Sequence, residues 1–63
     1  MTREELLEAL HSGETVCVKN IWYFTRCYMS CADEHCCQNN YDTIEETAEA
    51  AMAFGGLDEM EVL

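Results

Sequence analysis

The sequence contains no proline, no long apolar run and only three basic residues. Those three, Arg3, Lys19 and Arg26, face thirteen acidic residues, so the formal net charge is −10. Nucleic-acid phosphates and anionic lipid headgroups are bound by clustered Lys and Arg, which this chain lacks. No stretch approaches the roughly 18 apolar residues of a membrane span. These absences disfavour direct binding to nucleic acid, attachment to an anionic membrane and insertion into a bilayer.

The sequence predicts neither a secretory signal nor a disulfide framework. The opening residues, MTREELLEAL, carry acids where a signal peptide has a basic region, and no long apolar run follows them. We therefore expect a cytoplasmic protein, in which thiols stay reduced. The five Cys are an odd number, which argues against a complete set of disulfides and favours free thiols.

What is present is typical of a small packed domain. Apolar residues make up 49% of the 63 positions, so we predict one acidic domain over residues 1–63. A chain this short buries only a modest core. Because strong net charge of one sign attracts surfaces of the opposite sign, the expected partner is a basic protein surface. Nucleic-acid-binding proteins commonly have such surfaces.

Two segments are predicted to form capped helices. The first spans 2–11, where Thr2 and Glu5 have the spacing of a capping box and leucines recur at helical intervals. The second begins at Asp42 or Thr43, has acids in its first turn and ends at a Gly-Gly pair. Both are expected to cover a sheet.

Three β-strands are predicted between these helices. Their expected spans are 15–18, 21–30 and 36–41. Lys19-Asn20 is the first turn, because Asn tolerates positive φ, and a helix over 25–37 is the alternative to the second hairpin. The order α-β-β-β-α predicts an α+β fold, a three-stranded antiparallel sheet with flanking helices on one face. The tail, 57–63, is predicted as a short helix, an edge strand or a docking peptide.

Aromatic residues alternate along the longest predicted strand. Trp22, Phe24 and Tyr28 fall on its even positions, with Arg26 among them. One face of the strand is expected to pack on the helices and the other to expose this aromatic strip. Exposed aromatic side chains often anchor protein interfaces, so Trp22 and Tyr28 are candidate partner contacts.

A cluster of Cys and His residues raises the question of zinc. The candidate ligands are Cys27, Cys31, His35 and Cys36. The paired C-x2-C spacing of common structural sites is absent, and the adjacent Cys36 and Cys37 would point to opposite faces of a strand. We therefore predict buried thiols and no cofactor, with a zinc-stabilised module as the alternative.

Catalysis by a thiol is disfavoured. A Cys with a His is the minimum for a thiol nucleophile, but no orienting group or oxyanion feature is recognisable. Acidic surroundings would also raise the pKa of a thiol and make it less reactive. We expect a protein that is not an enzyme.

The acidic residues are the strongest candidates for a functional surface. A solvated face explains part of this charge, but not the scarcity of Lys and Arg, since mixed signs also solubilise a protein. Carboxylates spaced along a helix and a turn can engage the Arg and Lys that normally hold phosphate. The candidate partner-binding acids are Asp33, Glu34, Glu45, Glu46, Glu49, Asp58 and Glu59.

In layout, the chain resembles the small acidic anti-CRISPR proteins of phages that occupy the DNA-binding site of a Cas nuclease. The resemblance lies in size, charge and element order: the capped helix TREELLEAL, the strand TVCV, a hairpin, the acidic helix DTIEETAEAAMAF and an acidic tail. It rests on no shared motif, so no residue role is carried over, and the five Cys depart from it. The resemblance implies an inhibitor that mimics DNA in the cytosol of the host cell.

These observations predict a non-enzymatic inhibitor or interaction protein that binds the basic surface of a nucleic-acid-binding partner. A Cas nuclease or effector complex is the partner that the resemblance implies. The zinc-stabilised module is the first alternative. The second is an acidic subunit of a larger assembly, in which the aromatic strip forms a homodimer or partner interface.

Overall fold

The described part of the chain folds into two α-helices and a five-stranded antiparallel sheet. The structure is a computed structural model that describes the backbone of residues 1–25, 28–30 and 37–63 and the side chains of residues 1–25 and 41–63. In chain order, the elements are α1 (Arg3–His11), β1 (Val16–Val18), β2 (Trp22–Phe24), β3 (Tyr28–Ser30), β4 (Cys37–Asn40), α2 (Ile44–Phe54), a 3₁₀ turn (Leu57–Glu59) and β5 (Met60–Val62).

The predicted α+β class and antiparallel sheet are confirmed, and the strand count is corrected. The strand order is β4-β3-β2-β1-β5, and every neighbouring pair is antiparallel. The single strand predicted over 21–30 is two strands, β2 and β3, which pair with each other. The tail adds β5 beside β1, because its alternating pattern buries Met60 while Glu61 stays exposed.

Local sequence signals explain where α1 begins and ends. The Thr2 N–H donates to Glu5 Oε1 at 2.7 Å, and the Glu5 N–H donates to Thr2 Oγ1 at 3.1 Å, so the predicted capping box is formed. After the helix, Gly13 has φ of +82°, a left-handed conformation that favours glycine. The buried residues of α1 are Leu6, Ala9 and Leu10.

The turn between β1 and β2 forms where the sequence predicts it. Lys19 and Asn20 have φ of 57° and 59°, and the Ile21 N–H donates to the Val18 C=O at 3.1 Å. Positive φ at both central residues is the pattern of a type I′ turn, whose twist suits a hairpin. Val18 stands opposite Trp22, so Ile21 is an extra residue between this turn and the first paired residue of β2.

Helix α2 starts at a cap and ends against the sheet. Of the two predicted caps, Thr43 is the one used: its Oγ1 accepts the Glu46 N–H at 3.1 Å. At the other end, a Cβ added to Gly55 would lie 2.7 Å from Val18 Cγ1. The absence of a side chain at Gly55 therefore lets the end of α2 approach β1 closely.

Both helices pack on one face of the sheet. The buried apolar cluster combines residues of both helices with residues of three strands: Leu6, Ala9, Leu10, Val16, Val18, Phe24, Ala48, Ala51 and Met60. Thr47 is buried with them, and its hydroxyl donates to the Thr43 C=O at 3.2 Å. The predicted placement of the helices is thus correct.

The aromatic strip does not lie on an exposed face. Phe24 is 0% exposed and stands opposite Val16, so it belongs to the helix-covered face. Phe54 of α2 packs against Phe24 and the half-buried Trp22, with ring centroids 5.5 Å and 4.8 Å apart. The prediction of an exposed Trp22–Phe24 strip is therefore wrong, because Phe54 of α2 covers both side chains. The side chains of Arg26 and Tyr28 lie outside the described residues.

The opposite face of β1 carries Cys17, a free thiol that is only 4% exposed. It stands between Tyr23 of β2 and Glu61 of β5. Burial, and secondarily the Glu61 carboxylate, raise the pKa of the Cys17 thiol. For this residue, the predicted free thiol is confirmed.

Candidate interaction surface at the acidic sheet edge

Exposed carboxylates gather around β5, the strand at one edge of the sheet. Two shallow depressions flank this strand, and each is lined by three acids. We call this surface the β5 edge; its acids are Glu5, Glu8, Glu14, Asp58, Glu59 and Glu61. All six are exposed, and Lys19 is the one basic residue among the residues that line the two depressions.

The first depression lies between α1 and the end of β5 and has a volume of about 430 Å³. Glu5, Glu8 and Glu14 line it beside Val62. The hydrogen bond that the Thr2 N–H donates to the Glu5 carboxylate, and secondarily a hydrogen bond with the Thr2 side chain, lower the pKa of Glu5. The helix cap therefore also keeps this carboxylate ionised. The cap thus fixes one negative charge at the rim.

The second depression lies between the β1–β2 turn and the start of β5 and has a volume of about 310 Å³. Asp58, Glu59 and Glu61 line it together with Lys19. The Lys19 N–H donates to the Glu59 C=O at 3.0 Å, and the Gly56 N–H donates to Glu59 Oε1 at 3.1 Å. Main-chain N–H groups therefore hold both the backbone and the side chain of Glu59 in place.

The structure separates the acids that the sequence groups together. Asp58 and Glu59 lie at the β5 edge, whereas Glu45 and Glu46 lie in the first turn of α2. Glu45 and Glu46 lie at the start of α2, and Asp58 and Glu59 lie just after its end. The 11 residues of α2 span about 16 Å at ~1.5 Å per residue, so the helix separates the two pairs. Asp33 and Glu34 lie outside the described residues.

Glu49, the remaining candidate acid, faces α1. Its Oε1 is 4.0 Å from Arg3 Nη2, and the two side chains are 71% and 52% exposed. An exposed pair at this distance contributes little to stability. Part of the charge of Glu49 is offset by Arg3, which makes it a weaker attractor of a basic partner than the acids of the β5 edge.

Four acids of the β5 edge were missed as candidate residues: Glu5, Glu8, Glu14 and Glu61. Only the pairing of β5 with β1 brings the acidic tail alongside α1. The alternation of Glu61 with Met60 and Val62 was the available signal, because an edge strand exposes every second residue.

The ionisable side chains that line the two depressions are carboxylates and Lys19. Neither depression is lined by a His or a Cys, and in the part of the chain that the structure describes no three His, Cys, Asp or Glu side chains are grouped to hold a metal ion. The four candidate zinc ligands, Cys27, Cys31, His35 and Cys36, lie outside the described residues.

Two further findings bear on the surface. Neither α1 nor α2, the α-helices of the described ranges, combines the length and the apolar character that crossing a bilayer requires. The described acids that surround β5 are exposed to solvent.

Comparison of the chain with protein-family models, with curated proteins and with solved structures gives no match.

Proposed function

We propose that this chain is a non-enzymatic acidic interaction protein that binds the basic, nucleic-acid-binding surface of a partner and thereby competes with nucleic acid. The β5 edge carries this proposal: six exposed carboxylates surround one short strand, with a single Lys among them. Because the layout resembles that of anti-CRISPR DNA mimics, the proposed partner is a Cas nuclease. The proposed location is the cytoplasm of the host cell. The proposed activity requires no cofactor.

Electrostatics favours such a role. With a net charge of −10 on 63 residues, the field of the protein attracts basic surfaces and repels nucleic acid. Complementary charge raises association rates and selects partners, and its effect weakens as salt increases. A mimic of this kind should therefore act quickly at low salt and lose affinity steeply as the salt concentration rises.

The position of the acids also favours binding over mere solubility. The described carboxylates are not spread evenly, because the β5 edge holds two neighbouring groups of three. Hydrogen bonds to Thr2 and Gly56 fix the side chains of Glu5 and Glu59, which lowers the entropy cost of presenting them to a partner. Glu45 and Glu46, at the start of α2, lie apart from this edge and are expected to contribute little to the affinity.

The test is competition for DNA. Binding of labelled target DNA to a guide-loaded Cas nuclease is measured with increasing amounts of this protein, at several salt concentrations. We expect displacement of DNA at low salt, with a loss of potency of about tenfold or more between roughly 0.05 and 0.2 M salt. Absence of displacement, or displacement that does not change with salt, would contradict the proposal.

A further inference from the structure

Within the described part of the chain, no strand pairs with the outer edge of β5. On its inner side, the Lys19 N–H donates to the Glu59 C=O at 3.0 Å and the Leu63 N–H donates to the Thr15 C=O at 2.9 Å, while Glu61 stands opposite Cys17. In an antiparallel ladder, the residues that bond to the neighbouring strand alternate with residues that bond outward. Met60 and Val62 therefore direct their N–H and C=O groups away from β1.

Three of these four outward groups make no hydrogen bond among the described residues. The Met60 N–H donates to the Leu57 C=O in the 3₁₀ turn. Within residues 1–25, 28–30 and 37–63, no hydrogen bond engages the Met60 C=O, the Val62 N–H or the Val62 C=O. An edge of this kind is a template for another strand, and an added strand could make up to three main-chain hydrogen bonds to it.

The side chains around this edge indicate what kind of strand it would accept. Val62 and Leu63 are 39% and 62% exposed and offer apolar contact, while the two acidic depressions lie on either side. A second copy of this chain is disfavoured, because pairing two β5 strands would bring two sets of six carboxylates together. Charge complementarity instead favours an extended segment that is rich in Lys or Arg.

We propose that β5 captures an extended basic segment of the partner as a sixth strand of the sheet. This inference rests on the proposed function for the basic character of the partner, and it adds the mode of binding. Main-chain hydrogen bonds at Met60 and Val62 hold the segment, the six carboxylates select its charge, and Val62 contacts its apolar side chains.

The inference is tested with synthetic peptides of about eight residues in which Lys and Val alternate, the length of an ordinary strand. One peptide is unmodified, one is N-methylated on every Lys and one on every Val. N-methylation removes the N–H donors along one edge of an extended peptide and leaves its charge unchanged. Affinity is measured by titration, and hydrogen exchange of the Val62 amide is followed by NMR.

Strand addition predicts that one methylated peptide binds about fivefold or more weakly than the unmodified peptide, while the other retains its affinity. It also predicts that the unmodified peptide slows exchange of the Val62 amide by about tenfold or more. In the protein, Val62→Pro removes the outward donor without touching the bonds of residues 61 and 63 to β1, and should weaken binding by about fivefold. If this variant fails to fold, the methylated peptides test strand addition on the protein with its natural sequence.

Equal binding of all three peptides, with no protection of the Val62 amide, would overturn strand addition and leave a purely electrostatic surface. The proposed function would survive that result. Failure of every peptide to bind at low salt would also overturn strand addition. The DNA competition experiment then shows separately whether the proposed function stands.

Discussion

The helix-covered face of the sheet and the β5 edge are built from opposite kinds of residue. The buried face holds an apolar cluster with Thr47 as its buried polar residue in the described part of the chain. The β5 edge holds six exposed carboxylates and Lys19. The difference teaches that stability and recognition can be changed independently at most of these positions. Glu5 and Glu59 are the exceptions, because their carboxylates also accept main-chain hydrogen bonds from Thr2 and Gly56.

Met60 and Val62 mark the boundary between the two regions. Met60 is buried in the core, whereas Val62, two residues on, is 39% exposed beside the acids. A three-residue strand thus joins the apolar interior to the charged rim. If the account is correct, substitutions on one side of this boundary change the free energy of unfolding and those on the other change binding.

The largest expected effect follows from Phe24→Ala. Phe24 is 0% exposed and packs 5.5 Å from the ring of Phe54, so truncation leaves a cavity in a small core. We expect a loss of about 3–5 kcal/mol in the free energy of unfolding, measured by urea denaturation. Ile21→Ala is the matched control: Ile21 is 46% exposed, and its truncation should change stability by no more than about 0.5 kcal/mol. Similar losses at both positions would contradict the assignment of the core.

A smaller effect is expected where α2 meets β1. In Gly55→Ala, the new Cβ would lie 2.7 Å from Val18 Cγ1, a buried atom that cannot move without disturbing the core. We expect a loss of about 1–3 kcal/mol, measured as the change in the free energy of unfolding. In Gly56→Ala, the nearest atom is Asp58 Oδ1 at 2.6 Å, the end of an exposed side chain that can turn away. Equal costs at the two glycines would rule out the close approach.

The smallest effect concerns the charges of the β5 edge. In Glu61→Gln, one of several neighbouring like charges is removed, so repulsion in the folded state decreases. We expect stability to rise by a few tenths of a kcal/mol at low salt and by less at high salt, because salt screens exposed charges. Thermal melting at two salt concentrations measures both values. A gain that is independent of salt would point to packing rather than charge.

Local features of this fold could be predicted from sequence because neighbouring residues determine them. The capping box of Thr2 and Glu5, the cap at Thr43 and the Lys19-Asn20 turn each depend on residues that lie within a few positions. The α+β class followed from the same signals. For these elements, the identity of residues a few positions apart was sufficient to predict the local structure.

Features that depend on distant pairing could not be predicted. The burial of Phe24 depends on Phe54, thirty residues later, and a period-two pattern with apolar residues on both faces does not say which face the helices cover. The β5 edge likewise depends on pairing of the tail with β1, which brings Glu61 beside Cys17. The candidate acids were therefore predicted as residues but not as a surface.

The most direct test of the β5 edge as the binding surface compares two triple variants of equal charge. The edge variant carries Asp58→Asn, Glu59→Gln and Glu61→Gln; the control carries Glu45→Gln, Glu46→Gln and Glu49→Gln, at and near the start of α2. Displacement of target DNA from a guide-loaded Cas nuclease is measured for both at one salt concentration. The account predicts a loss of potency of about tenfold or more for the edge variant and less than about threefold for the control. Equal losses, or a larger loss for the control, would contradict it.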